Sequence, residues 1–293
     1  VKRVVPRENG DINDIWISDR DRFSYEGLSS SSRSKAPKQK IDGRWFDIDW
    51  NSAVGLVLDN LKAPSIKNNL RAFISPSSTN EEFFLLQSLV RGMGSNFIDH
   101  RLRQTDFSDD EACPLFPRIP DKEKLESNDL IILLGAFPRT DVPIVNILLR
   151  NSIKKGSKAI VIDSYDREYN HSVESKKIIA PSKFASELER IRDNLNEDDQ
   201  KKQDKIISLI KSARSPVILF GSGVDHHPDR GYLLTLIDGI ANKTGAFVGH
   251  LTQGCNAAGA WLSGAVPHRG PCGALIDEKI DYDSFLTNNE DNV

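Results

Sequence analysis

Three short segments of this 293-residue chain combine residue types suited to holding a nucleotide. Gly135-Ala-Phe-Pro-Arg139 follows an apolar run and sets Arg139 beside a helix start, where free N–H groups and a guanidinium could grip a phosphate. Asp163-Ser-Tyr-Asp-Arg167 ends a second apolar run in a carboxylate, which could take a sugar hydroxyl or a purine edge. Gly221-Ser-Gly-Val-Asp-His-His227 follows a third, and Gly221 and Gly223 would admit close backbone approach to a pyrophosphate. None of the three completes a G-x-G-x-x-G fingerprint or a P-loop. Glycine and aspartate also end strands because chains must turn there, and turn chemistry is the reading preferred. Gly135, Arg139, Asp163, Gly221 and Gly223 thus remain candidates for a vestigial dinucleotide crevice.

Other chemistry is less well supplied. Cys113, Cys255 and Cys272 are odd in number and widely spaced, which fits a reducing compartment better than a disulfide framework. An iron–sulfur cluster needs about four thiolates, and a structural zinc site needs paired ligands. Cys255 and Cys272, with His250 and His268, could gather on one loop, but small semi-buried thiols beside glycine-rich backbone are the expectation. His226 and His227 are adjacent, so their side chains diverge, and a surface turn before a helix is expected there. No Ser/His/Asp or Cys/His nucleophile elbow and no H-E-x-x-H occurs. Asp109-Asp-Glu111 and the acidic tail read as solvated faces.

The elements that must carry these loops alternate. Asp129–Gly135, Lys158–Asp163 and Pro216–Gly221 are apolar runs of the kind found in strands buried on both faces. Between and after them lie helical stretches over 142–155, 182–196, 205–213 and 230–244, with a last strand at 246–249. A charged segment, 197–204, separates the second and third of these helices. The first helix carries Pro143 in its first turn and ends at Gly156. Strands alternating with helices of this length imply a parallel sheet with right-handed crossovers. Upstream, Asp49 is a plausible N-cap for a helix over Trp50–Leu61. Leu70–Ser75 reads as a strand, and Ser78–Glu81 has capping-box spacing for a helix ending near Gly92 and Gly94. Asn96–His100 is a further short strand, and a long polar loop runs through Pro120. Ser29–Lys40 is Ser-rich and basic, an expected exposed connection.

Hydrophobic content of 38% and charged content of 28% suit a globular protein of one large core or two smaller ones. A net charge of −3 argues against nucleic acid as the main partner. No apolar run reaches the roughly 20 residues that span a bilayer, and no signal-peptide core is present, so a membrane role would have to come through partner subunits.

Before all of this lies Asp14-Ile-Trp-Ile-Ser-Asp-Arg-Asp-Arg-Phe-Ser-Tyr-Glu-Gly-Leu28, too irregular for an amphipathic helix or a clean strand. Trp16, Phe23 and Tyr25 are expected to dock on the body of the fold. This run resembles the G subunit (75 kDa type) of bacterial proton-translocating NADH–quinone oxidoreductase, respiratory complex I. Further blocks carry the same resemblance: Ile48–Ala53, Ser75–Glu82 with Leu86–Gly94 and Ile98–Arg103, Gly135–Arg139 with the Pro143 helix and Asp163, and Gly254–Arg269. They span essentially the whole chain.

The resemblance implies an α/β fold of the molybdopterin oxidoreductase (formate dehydrogenase/DMSO reductase) type, truncated here. A Rossmann-like parallel-sheet unit would occupy 120–250. A second α/β unit would join 41–119 to a return segment, 251–293, behind an irregular junction at 1–40. It further implies [2Fe–2S] and [4Fe–4S] clusters upstream of Val1, none of whose ligands lies in this chain, and no cofactor or catalytic residue in the chain itself. Other peripheral-arm subunits of complex I would be its partners, on the cytoplasmic side of the bacterial inner membrane, without direct membrane insertion. Members that bind a molybdopterin guanine dinucleotide follow the strand corresponding to Lys158–Asp163 with Pro-Arg and a Thr. Here Ser164-Tyr-Asp-Arg167 stands instead, and no Ser, Cys or selenocysteine metal ligand can be assigned after Asp99. Phe137, Tyr165 and Arg167 are therefore expected to fill part of the crevice. The function implied is a non-catalytic scaffold within an electron-transfer subunit. The alternative is a self-standing molybdopterin- or nucleotide-binding oxidoreductase, which a metal assay and a nucleotide titration distinguish.

Overall fold

A computed structural model describes residues 3–66, 70–103, 105–107, 118–195 and 204–276. Cys113, the Asp109–Glu111 cluster, most of the charged segment at 197–204 and the acidic tail lie outside these residues. After a short helix, α1 (Asp19–Phe23), the Ser29–Lys40 connection runs without regular structure to Lys38, where a hairpin begins. Asp42 and Gly43 both take left-handed backbone, with φ of 47° and 80°, and this two-residue turn matches the twist of antiparallel strands. It joins β1 (Lys38–Ile41) to β2 (Arg44–Asp47). The Asp49 side chain then accepts from the Ser52 N–H at 3.0 Å and opens α2 (Trp50–Leu61), which buries none of its residues.

A small parallel pair follows, β3 (Ala72–Phe73) and β4 (Ile98–Asp99), connected by α3 (Asn80–Gly92). The cap of α3 falls one residue later than the Ser78–Glu81 spacing suggests. Ser78 is already used in a turn, its N–H donating to the Ser75 carbonyl at 3.0 Å. Thr79 and Glu82 therefore form the reciprocal capping box, at 3.2 and 2.8 Å.

The main sheet begins after α4 (Lys122–Ser127) with β5 (Leu130–Leu134). It continues through α5 (Pro138–Asp141), α6 (Pro143–Lys154), β6 (Lys158–Asp163), β7 (Ser175–Ile178), α7 (Phe184–Asn194) and α8 (Lys205–Ser212). The remaining elements are β8 (Pro216–Phe220), α9 (Ser222–Asp225), α10 (Arg230–Thr244), β9 (Phe247–His250) and α11 (Ala257–Ser263). All neighbours are parallel, in the order β7-β6-β5-β8-β9. The chain thus runs outward from β5 to one edge, then returns to the other side of β5. The place where it reverses, between β5 and β8, is where open α/β sheets bind ligands.

Strand alternation divides the core into two layers. Leu130, Ile132, Leu134, Ile160, Ile162, Ile218 and Phe220 face α7, α8 and α10, burying Phe184, Leu188, Ile210 and Ile237. Ile131, Leu133, Val161, Val217 and Leu219 face α4 and α6 with Leu125, Val145 and Leu149. A third, smaller cluster (Phe83, Val90, Ile98, Ala260 and Ala265) joins α3, β4 and α11.

The opening segment does not dock as expected. Trp16 and Phe23 are 52% and 57% exposed, and Tyr25 is half-buried. Its attachments to the body are polar: the Lys122 ammonium donates to the Gly10 carbonyl at 2.7 Å and pairs with Asp14.

Candidate functional site

The three strand-end loops converge at the reversal point, and there they interlock. The Gly223 N–H donates to the Gly135 carbonyl at 2.8 Å, and the Gly221 N–H to Leu134 at 3.1 Å. Gly135 has a φ of 52°, and a Cβ on it would lie 2.8 Å from the Gly223 Cα; one on Gly223 would lie 2.7 Å from the Gly135 Cα. The glycines are required because two backbones touch, and they leave no gap at that point for a pyrophosphate. Asp163 is 3% exposed. Its carboxylate accepts from the Ser164 N–H at 2.6 Å and the Arg167 guanidinium at 3.3 Å. Arg139 is exposed, donating to the Glu168 carbonyl at 3.3 Å.

Side chains fill the mouth of the crevice. The Arg167 guanidinium sits 5.1 Å from the Phe137 ring centre, in cation–π contact. The same guanidinium lies 5.2 Å from the Tyr165 ring centre, and Tyr169 adds to the wall: its ring stands edge-on to Phe137 at 5.3 Å and its hydroxyl donates to the Ala136 carbonyl at 3.2 Å. Burial, with Asp163 nearby, raises the Tyr169 pKa, so it stays a neutral donor. Tyr165 is 67% exposed. Molybdopterin guanine dinucleotide, the cofactor its fold family suggests, does not fit this geometry: the glycine contact closes the phosphate position, and the acceptor at Asp163 is engaged.

A second concavity opens beside the ends of β8 and β9, a cleft of about 260 Å³ walled by the strap after β4, by the loop from β8 to α10 and by α11. Its floor is an ion network. The Asp225 carboxylate bonds His250 Nε2 and the Arg230 guanidinium, the latter at 3.1 Å. Burial opposes its ionisation, but His250 and Arg230 outweigh this and hold the pKa at about 2. His250 stacks on Phe220 with ring centres 4.4 Å apart. On the strap, Arg101 makes a two-pronged contact with the fully buried Asp99, at 2.9 and 3.0 Å.

The cleft gathers His226, His250 and His268, but neither Cys255 nor Cys272, which are exposed rather than semi-buried. Among the described residues no group of three His, Cys, Asp or Glu side chains is placed to hold a metal. His227 departs from the expected surface turn: it is 7% exposed, its Nε2 meets the Pro181 carbonyl at 3.0 Å, and its Nδ1 accepts from the Asp229 N–H at 3.0 Å.

Side chains tie the second unit across the chain, Arg91 with the most bonds. Arg91 Nη2 donates to the carbonyls of Gly264, Val266 and Arg269, at 3.1, 3.1 and 3.0 Å. Asn256 reaches the Ser78 carbonyl at 2.8 Å from the same return segment. Arg91, His100 and Arg103 carry no signal of their own in the sequence. They lie in stretches that matter only through resemblance, and beyond its local bond to Asn96 the carbonyl partners of Arg91 begin 173 positions away.

A doubly wound parallel sheet, joined to a smaller unit across a cleft, defines the fold of the molybdopterin oxidoreductases. The family model described as molybdopterin oxidoreductase matches residues 33–270, and the chain belongs to that family. A second model, the 4Fe–4S domain of NADH-ubiquinone oxidoreductase of the NDSU1/NuoG-like kind, matches residues 1–26, a stretch that contains no cysteine. Among individual proteins, the chain is similar to the G subunit of the NADH-quinone oxidoreductase of Rickettsia bellii, 29% identical over 83% of this chain and 33% of that one. It is also similar to the mitochondrial NADH dehydrogenase [ubiquinone] iron-sulfur protein 1 of Solanum tuberosum, at 27% identity over 83% and 31%. The chain therefore spans about a third of the length of these relatives. A chain of the formyltransferase/hydrolase complex of Methylorubrum extorquens shares the fold, with a TM-score of 0.50 and 11% identity over 73% of this chain and 60% of that one.

Proposed function

We propose that this chain is a scaffold region of the G subunit of a proton-translocating NADH–quinone oxidoreductase and does no chemistry at its dinucleotide crevice. In this reading the parent subunit carries [2Fe–2S] and [4Fe–4S] clusters upstream, which pass electrons from NADH toward quinone, and the present region braces them. A Rossmann-like domain over 120–250 is inserted into a second domain built from 41–119 and 251–293. Other peripheral-arm subunits are the partners, on the cytoplasmic side of the bacterial inner membrane. No helix among the described residues is long and apolar enough to cross a membrane, consistent with attachment through partners.

The observation that carries the reading is the interlock of Gly135 with Gly223 together with the internally engaged Asp163. A family fold whose phosphate position is filled by its own backbone keeps the architecture without the cofactor. Guanosine diphosphate titrated into the full chain should bind no better than millimolar. Micromolar affinity that disappears in Asp163→Ala would overturn the reading and favour a nucleotide-binding oxidoreductase. The purified chain should also lack iron and acid-labile sulfide; stoichiometric amounts of both would place a cluster here.

A further inference from the structure

The cleft beside β8 and β9 is separate from the dinucleotide crevice, and two of its groups keep binding capacity in reserve. His100 is 7% exposed and lines the cleft. Its Nδ1 lies 3.2 Å from the Ala265 carbonyl, which can only accept, so the ring proton resides on Nδ1. Burial, reinforced by Arg101, lowers the pKa of this imidazole and keeps it neutral. Nε2 is then a fixed lone pair, with no hydrogen-bond partner among the described residues. Three residues further along the same strap Arg103 also lines the cleft; it is exposed and its guanidinium makes no hydrogen bond or ion pair among the described residues, whereas Arg101 is engaged by Asp99 and Arg230 by Asp225. Trp261 and Val266 also contribute to the lining.

These groups specify a ligand by elimination. Arg101 and Arg230 are matched by Asp99 and Asp225, and the Asp106 carboxylate accepts from the Gly231 N–H at 2.8 Å beside Arg230, so the Arg103 guanidinium is the charge left to meet an anion, and it repels an ammonium. An aprotic inorganic anion such as chloride or sulfate would satisfy Arg103 but offer no proton to His100 Nε2. The volume of about 260 Å³ lies at the small end of the range for ligand pockets.

We propose that this cleft is a binding site for a small hydroxylated organic anion, its acid group held by Arg103 and its hydroxyl donating to His100 Nε2. A carboxylate and a phosphate monoester both offer Arg103 the same paired oxygens. The site is independent of the scaffold reading, because it uses neither Asp163 nor the glycine interlock.

Matched pairs of compounds test it on the full chain by calorimetry or saturation-transfer NMR: malate against succinate, and glycerol 3-phosphate against propyl phosphate. The hydroxylated member of at least one pair should bind about tenfold more tightly, the consequence of leaving an enclosed acceptor unpaired. The pair that responds identifies the acid group. Arg103→Gln, at an exposed position that leaves the core intact, should weaken both members of that pair alike. His100→Phe should abolish the preference for the hydroxylated member while retaining binding of the acid. If that variant does not fold, the hydroxyl preference of the native chain and its loss of affinity in Arg103→Gln still decide the matter. Absence of saturable millimolar binding by all of these compounds would overturn the proposal, as would equal affinity within both pairs or binding that Arg103→Gln leaves unchanged.

Discussion

The strand Leu130–Leu134 and the helix Trp50–Leu61 draw on the same apolar residue types, yet every residue of the first is buried and none of the second is. Trp50 is 72% exposed, Val57 57% and Val54 52%. The hairpin before α2 behaves likewise, with Trp45 65% exposed. An isolated two-stranded hairpin and a 12-residue helix are each marginal in water. The sheet unit therefore closes its own core, whereas residues 33–66 carry apolar surface that their own contacts do not cover. One chain contains a self-sufficient body and a dependent one.

Substitution in the self-sufficient body should have the largest effect. Phe184 is 1% exposed beneath the sheet, and Phe184→Ala should cost about 3–5 kcal/mol in urea unfolding. A loss under about 1 kcal/mol would mean that the sheet unit is not the stabilising core.

The tie within the second unit comes next. Arg91→Leu removes the donor for three carbonyls and should cost about 2–3 kcal/mol. Hydrogen exchange localises the effect: amides of α11 should lose protection while those of β8 keep theirs. Uniform loss in both would dissolve the distinction between the units.

Asp225 sharpens the comparison through pH. Its folded pKa is held at about 2 against an ordinary 3.8. A depressed carboxylate stabilises the fold above its unfolded pKa, and the contribution fades as pH falls toward the folded value. The amount is roughly 2 kcal/mol. Asp225→Asn should lower stability by about that much at neutral pH and flatten the acid limb between about pH 4 and 2. An acid limb identical to the native one would show that Asp225 does not titrate as assigned.

The smallest effects belong to the exposed face. Trp50→Ser and Trp16→Ala should each change stability by no more than about 0.5 kcal/mol, while reducing binding of a hydrophobic dye. A clear fall in melting temperature for Trp16→Ala would return that residue to the docked position its sequence suggests.

Much of the sheet unit is legible in the sequence because its signals are local. Lys158–Asp163 and Arg230–Thr244 have the expected limits, and Asp49 caps α2 as its type suggests. The Asp42-Gly43 pair is a hairpin signal too, but the Ser-rich stretch beside it masks the strands it joins. Ser78–Glu81 and Thr79–Glu82 both satisfy capping-box spacing, and only the turn at Ser75 decides between them. The aromatic opening segment misleads because residue type records the capacity for burial, not the presence of a surface to meet. For the candidate crevice the sequence supplies Gly135 and Gly223, but not that each occupies the space the other leaves.

The Arg91 clasp also sets a timetable. Its three acceptors lie 173, 175 and 178 residues downstream. At about 5–20 residues per second, a ribosome delivers them roughly ten to thirty-five seconds after Arg91 itself. For that interval α3 must wait with its clasp empty. The sheet unit is translated in the meantime, and it can complete its core from strands that pair across much shorter separations. Once folded, it replaces a long floppy loop with a compact one, lowering the entropy of bringing Arg91 to Gly264. Synthesis order thus becomes assembly order, and a stall between His250 and Gly264 would leave the nascent chain holding a finished sheet and an unfastened base.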